Sequence, residues 1–118
     1  MKTLTTAEER IMQILWKENK CNVAEIIDFF PDPKPAYNTV STIVRILESK
    51  GFVSHYKKGR NHQYYPVILK SDYSQLTIKK FVKGYFQGSF SSMISFFMKN
   101  NDIDINELEE IIKKIKEL

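Results

Sequence analysis

KPAYNTVSTIVRILESKG, residues 34–51, decides how the rest of this chain is read. Val40, Ile43, Val44 and Leu47 recur at i, i+3, i+4 and i+7, which puts them on one face of a helix. The other stripe, Asn38, Ser41, Thr42, Arg45 and Ser49, is short, hydrogen-bonding, cationic at one position and free of acids. Gly51 is placed to close the helix, and Lys50 to complement the dipole of its last turn. A half-buried helix showing small polar groups and an arginine suits a DNA major groove. An ordinary amphipathic helix with a solvated face reads the same way, so the decision rests on what surrounds it.

Outward from the helix, charge is unevenly distributed. The net charge is +4 over 118 residues. Residues 1–33 carry four bases against six acids, residues 34–100 eleven bases against Glu48 and Asp72, and residues 101–118 three bases against six acids. The basic middle contains the helix and the segment after it, which points to a polyanionic partner on one face.

On the N-terminal side, Thr5-Thr6-Ala7-Glu8 has the form of a capping box, opening a helix to about Glu18 with Ile11, Ile14 and Leu15 inward and Trp16 as a core anchor. Asn22-Val23-Ala24-Glu25 repeats the logic for a short second helix through Phe30. PDPKP, residues 31–35, is expected to be a stiff extended connection. On the C-terminal side, Phe52, Val53 and Tyr56 read as one strand and His62 to Tyr65 as another, joined by a turn at Lys58-Gly59-Arg60-Asn61. Three helices followed by a basic hairpin is the order of a winged helix-turn-helix, with the third helix in the major groove and the hairpin beside it. The fold expected is mainly α with a small β-hairpin: a winged helix-turn-helix DNA-binding domain over residues 1–69, then a helical dimerisation region over residues 70–118.

That second region changes character. Ser71 is placed to cap a helix through Phe86, and Gly88 breaks it. FSSMISFFMKN, residues 90–100, is aromatic, and Asp104-Ile105-Asn106-Glu107 is a third capping box before a stripe of Leu108, Ile111, Ile112, Ile115 and Leu118. About fifty residues with that much apolar surface do not bury it among themselves. A second copy is the economical cover, and Leu76, Phe81, Phe86, Phe90, Ile94, Phe97, Leu108, Ile111, Ile112 and Ile115 are the expected dimerisation residues. A homodimer would also set two reading helices on one face of a palindromic operator in double-stranded DNA.

The residues resemble the penicillinase-repressor family (BlaI/MecI), small bacterial winged-helix repressors to which CopY-type copper regulators also belong. LTTAEERIMQILW is similar to the family's opening L-T-x-A-E, and YNTVSTIVRILESKGFV to its most specific segment through Thr39, Val40, Thr42, Ile43, Arg45, Lys50 and Gly51, with Ile46 at the usual Leu position. The hairpin ending Tyr65-Pro66 matches the family's wing. The resemblance implies a dimeric transcriptional repressor that blocks a promoter at inverted repeats with TACA and TGTA half-elements. It further implies relief of repression by cleavage within residues 90–100, through a membrane sensor-transducer with a metalloprotease domain. The family's cut lies between Asn and Phe; Phe97 stands at the Phe position and Phe96 where Asn would be. The cysteine-rich hook of the CopY branch is absent from INELEEIIKKIKEL. Control by a small-molecule ligand or a protein partner is the alternative.

On this reading the DNA-binding residues are Tyr37, Asn38, Ser41, Thr42 and Arg45 on the helix and Lys57, Lys58 and Arg60 on the hairpin. Arg45 has three candidate roles: a base fork, a phosphate clamp or an internal ion pair. No catalytic residue, metal ligand or cofactor is expected: His55 and His62 sit on opposite arms of the hairpin, and no Gly-rich phosphate loop is present. The single cysteine, Cys21, cannot pair within the chain and reads as a small, partly buried residue. With no apolar run near the ~20 residues that span a bilayer and no signal-peptide core, a cytoplasmic protein without direct membrane binding is expected.

Overall fold

A computed structural model of the chain describes residues 1–117. The elements run α1 (Thr6–Glu18), α2 (Val23–Asp28), α3 (Tyr37–Ser49), β1 (Val53–Lys58), β2 (Asn61–Pro66), α4 (Lys70–Phe86), α5 (Phe90–Lys99) and α6 (Ile105–Lys116). Leu118, expected on the last apolar stripe, lies outside the described residues.

Reciprocal capping sets where three helices begin. Thr5 with Glu8, Asn22 with Glu25, and Asp104 with Glu107 each exchange side-chain and backbone hydrogen bonds. The helix that decides the fold, α3, starts without a side-chain cap at Ala36 and stops on a Schellman motif. There the Phe52 N–H reaches the Leu47 carbonyl, the Gly51 N–H reaches that of Glu48, and Gly51 takes φ +84. A side chain at that φ would be strained, so glycine is the residue the stop requires.

Two compact units make up the chain, Met1–Tyr73 and Ser74–Leu118. In the first, Ile11, Met12 and Leu15 of α1, Ile26 of α2, and Val40, Val44 and Leu47 of α3 meet Phe52, Val53 and Tyr64 in one core. Each fully buried Ile, Leu or Val in such a core contributes roughly 1.5–3 kcal/mol. Trp16 anchors the core edge as expected: its Nε1–H donates to the Ile68 carbonyl at 2.9 Å, and its ring lies 6.0 Å from that of Tyr73. The buried Tyr73 hydroxyl accepts the Leu4 N–H at 2.9 Å, so the first turn of α4 belongs to this core. β1 and β2 form an antiparallel hairpin with Val53 opposite Pro66 and Lys58 opposite Asn61. Cys21 adds a one-residue bridge to Tyr64, donating at 3.0 Å and accepting at 2.8 Å. It is fully buried, more than the partial burial expected, and burial, then the Glu25 and Glu18 carboxylates, push its thiol up to about 11.

Four local expectations are corrected. Residues 31–35 bend at Asp32 and Pro33 instead of running straight, and the Lys34 ammonium reaches back to the carbonyls of Phe30, Asp28 and Ile27 at 2.8, 3.3 and 3.5 Å. Phe52 precedes the first strand, spent on the Schellman bond. Ser71 lies inside α4, which begins at Lys70, and so does not cap it. Lys50 follows the last turn of α3 instead of lying within it, and its ammonium meets Glu8 Oε1 at 2.6 Å and the Thr3 carbonyl at 3.4 Å. Glu8 is only 4% exposed. Burial pushes its carboxyl up, but the hydrogen bond from Lys50 and those from Thr5 outweigh this and hold it below its ordinary value.

In the second unit, α4 and α5 share aromatic contacts, Phe86 lying 5.5 Å from Phe96 and 5.8 Å from Phe81. On α6, Ile111, Ile112 and Ile115 are 45%, 43% and 60% exposed, an apolar stripe left uncovered.

Candidate nucleic-acid interface

Burial of Val40, Val44 and Leu47 fixes the rotation of α3. At 100° per residue the opposite side must carry Asn38, Thr42 and Arg45, and all three are exposed; Ser41, at the flank, is half-buried, and Tyr37 is exposed because it opens the first turn of the helix. Strand alternation sorts the hairpin in the same way. The register puts His55, Lys57, His62 and Tyr64 on one face and Tyr56, Lys58, Gln63 and Tyr65 on the other. The first face is turned toward α3, since His55 Nδ1 lies 2.7 Å from Glu48 Oε2. Lys57 therefore flanks the helix while Lys58 sits on the far side, a distinction composition does not give.

Between these elements lies a cleft of about 220 Å³. Tyr37, Ser41 and Arg45 of α3, Arg60, Asn61, His62 and Tyr64 of the hairpin, and Asn22, Val23 and Ala24 at the start of α2 line it. Around the next turn, Thr42, Arg45, Ile46, Ser49 and Lys50 border a shallower depression with Lys2. Arg45 belongs to both. Tyr64 is nearly buried at its wall; burial first, then the Glu48 carboxylate, push its phenol up, while Arg45 pulls it down. It stays a neutral hydroxyl at any physiological pH.

Of the eight residues expected to bind DNA, the cleft gathers Tyr37, Ser41, Arg45 and Arg60. Thr42 lies in the adjoining depression, Asn38 is exposed at the first turn of α3, and Lys57 and Lys58 stand on the strand leading to the tip. Among the described residues, the ion pairs are Glu8–Lys50 and Glu48–His55, and neither involves Arg45, Lys57, Lys58 or Arg60. Arg45 and Arg60 in the cleft, with Lys57 on the same face of the hairpin, form a positive field. Sequence reasoning missed Lys2, Asn22, Asn61 and His62. Strand alternation could have found His62; the other three arrive through tertiary folding.

Three helices with the third exposed beside a basic two-stranded wing define a winged helix-turn-helix protein of the DNA-binding class. The chain belongs to the penicillinase repressor family, whose sequence pattern matches residues 4–117. The penicillinase repressor of Bacillus licheniformis is 30% identical over 117 residues, covering 96% of this chain and 91% of that protein. The methicillin resistance regulatory protein MecI of Staphylococcus aureus (strain N315) is 30% identical over 111 residues, covering 92% of this chain and 89% of its own. Among solved structures, the monomeric form of Bacillus licheniformis BlaI in complex with the blaP half-operator is 32% identical, with a TM-score of 0.51 over 61% of this chain and 89% of that one.

The residues expected in dimerisation lie on three helices. Leu76, Phe81 and Phe86 are on α4, Phe90, Ile94 and Phe97 on α5, and Leu108, Ile111, Ile112 and Ile115 on α6. The Phe96–Phe97 bond falls within α5, and Phe96 is half exposed. No helix among the described residues is long and apolar enough to cross a membrane.

Proposed function

We propose that this chain is a homodimeric transcriptional repressor of the cytoplasm that reads a palindromic operator through α3 and is released from it by proteolysis within residues 90–100. The observation that carries the DNA-reading part is the groove where α3, the wing and the start of α2 converge, with Arg45 and Arg60 in its lining and Lys57 on the hairpin face turned toward it. Asn38, Ser41 and Thr42 present hydrogen-bonding groups to base edges, and Lys57, Lys58 and Arg60 hold phosphates. Arg45, at the junction of the two depressions, spans a base edge and the adjoining backbone. The BlaI relative bound to a half-operator supports the same use of the fold.

Dimerisation rests on the uncovered stripe of Ile111, Ile112 and Ile115 and on the exposed Phe81 and Phe90, apolar area that a second copy would cover. The test combines a gel-shift titration on a duplex carrying the TACA/TGTA inverted repeat against its scrambled counterpart with light scattering of the free protein. Preference for the repeat by a particle of twice the chain mass is expected. Equal affinity for both duplexes refutes operator reading, and a monomer refutes the dimer.

Release by a membrane sensor metalloprotease requires the Phe96–Phe97 bond to leave its helix, because a protease takes an extended strand. Immunoblotting for a cleaved fragment in cells that also make a candidate sensor tests this step; an intact chain after induction refutes it. Control by a bound small molecule is the second reading, favoured by a groove of about 560 Å³ along Tyr85, Phe86, Ser95, Phe96 and Lys99.

A further inference from the structure

The chain's two histidines meet on the face of the hairpin turned toward α3, and the DNA-reading role described above uses neither. His55 and His62 stack with ring centroids 4.5 Å apart and planes 17° apart. Their surroundings differ. His55 Nδ1 lies 2.7 and 2.9 Å from the two carboxylate oxygens of Glu48, so any charge on that ring has a counterion on α3. His62 opens into the cleft instead.

The groups facing His62 come from every element around it. β1 supplies the stacked His55 and, directly across the strands, Lys57. α3 supplies Arg45 and Tyr37, and the hairpin itself supplies Arg60 and Tyr64. The start of α2 contributes nothing that titrates. His62 thus stands among three cations, while the carboxylate bonded to the histidine pair is engaged on its far member. A phosphate seated in the cleft would bring a negative charge against the exposed ring of His62.

We propose that His62 is a backbone contact for duplex DNA, made as the imidazolium, so that the chain takes up a proton when DNA fills this cleft. The inference rests on the DNA-binding reading above and adds to it a residue and a linkage. Histidine is the one ordinary side chain that changes charge near neutrality, so the contact is silent in alkaline solution and forms on mild acidification.

The test is fluorescence anisotropy of the full chain on a labelled mixed-sequence duplex, titrated from about pH 8 to about pH 5.5, where histidine alone among unperturbed side chains changes charge. Wild type is expected to tighten by roughly three- to tenfold across that range, as one proton taken up on binding requires. The salt dependence should also steepen by about 0.9 log units per log of salt, the increment for one added phosphate contact. His62→Gln should flatten both responses, and His55→Gln should keep them. Circular dichroism at both ends of the range confirms that each variant is folded. Binding by wild type with a pH response unchanged in His62→Gln overturns the proposal, as does loss of the response in His55→Gln alone. No binding by wild type at any pH overturns the DNA-binding reading itself.

Discussion

The ion pair between Glu8 and Lys50 joins the first turn of α1 to the end of α3, and its removal should loosen the unit that presents the reading helix. Glu8 does two jobs with one carboxylate: Oε1 accepts the Thr5 N–H at 2.9 Å and the Lys50 ammonium at 2.6 Å. Its side chain is 6% exposed and that of Lys50 is 21% exposed, so solvent screens the pair weakly. Glu8→Ala removes a charge-assisted hydrogen bond and half a capping box, costing roughly 2–4 kcal/mol. Glu8→Gln keeps the capping acceptor and loses the charge, costing roughly 1–2 kcal/mol. Urea unfolding followed by the fluorescence of Trp16, the single tryptophan and a member of this core, reports on the right unit. A double-mutant cycle with Lys50→Met should return a coupling of about 1.5–3 kcal/mol. A coupling below about 0.5 kcal/mol, or equal losses for the Gln and Ala variants, refutes this role for the pair. The pH sign follows from the lowered carboxyl: its stabilisation is complete above the ordinary carboxylate value and drains away as pH falls through the folded one. The gap between wild type and Glu8→Gln should therefore close in acid.

Thr42→Ala and Arg45→Ala should abolish preference for the operator while leaving the dimer intact, which gel shift and light scattering decide together; an unchanged preference removes α3 from the reading role. Alanine at Lys57, Lys58 or Arg60 should weaken all duplexes alike and lower the salt slope by about 0.9 for each phosphate no longer held. Tyr73→Phe leaves the Leu4 N–H buried and unpaired, a loss of about 1–3 kcal/mol measurable by the same urea titration. A chain ending at Ile78, which retains Tyr73, should be folded and monomeric; a dimer in light scattering places the interface outside the C-terminal region.

Short-range physics is what made the fold legible. Apolar spacing fixed which side of α3 is buried, and three capping boxes marked helix starts because each is complete within four residues. The turn at Gly59 and the basic tip were legible for the same reason. What stayed hidden depends on residues far apart in the chain. Lys50 read as a dipole partner because its true partner, Glu8, is 42 residues away. The bend at Asp32–Pro33 and the reach of Lys34 back to Phe30 were hidden in a proline-rich segment whose composition says stiff but gives no direction. In the groove, the residues on α3 and the hairpin tip were found from helical period and charge. His62 and Asn61 were passed over because they were weighed as metal ligands or turn formers, and their neighbours appear only after the hairpin docks.

The Cys21 bridge has a mechanical consequence. Two backbone hydrogen bonds pin β2 at Tyr64, and the pairs toward the tip, from Tyr56–Gln63 to Lys58–Asn61, project beyond that pin. The wing is a cantilever, fixed at its root and free at its end. Fixing a loaded tip on a phosphate then restricts only the few residues past the clamp, and the rest of the hairpin meets the DNA already ordered. Because the clamp is made of backbone, the thiol at position 21 is incidental to it, and a small apolar side chain there would hold the wing as firmly.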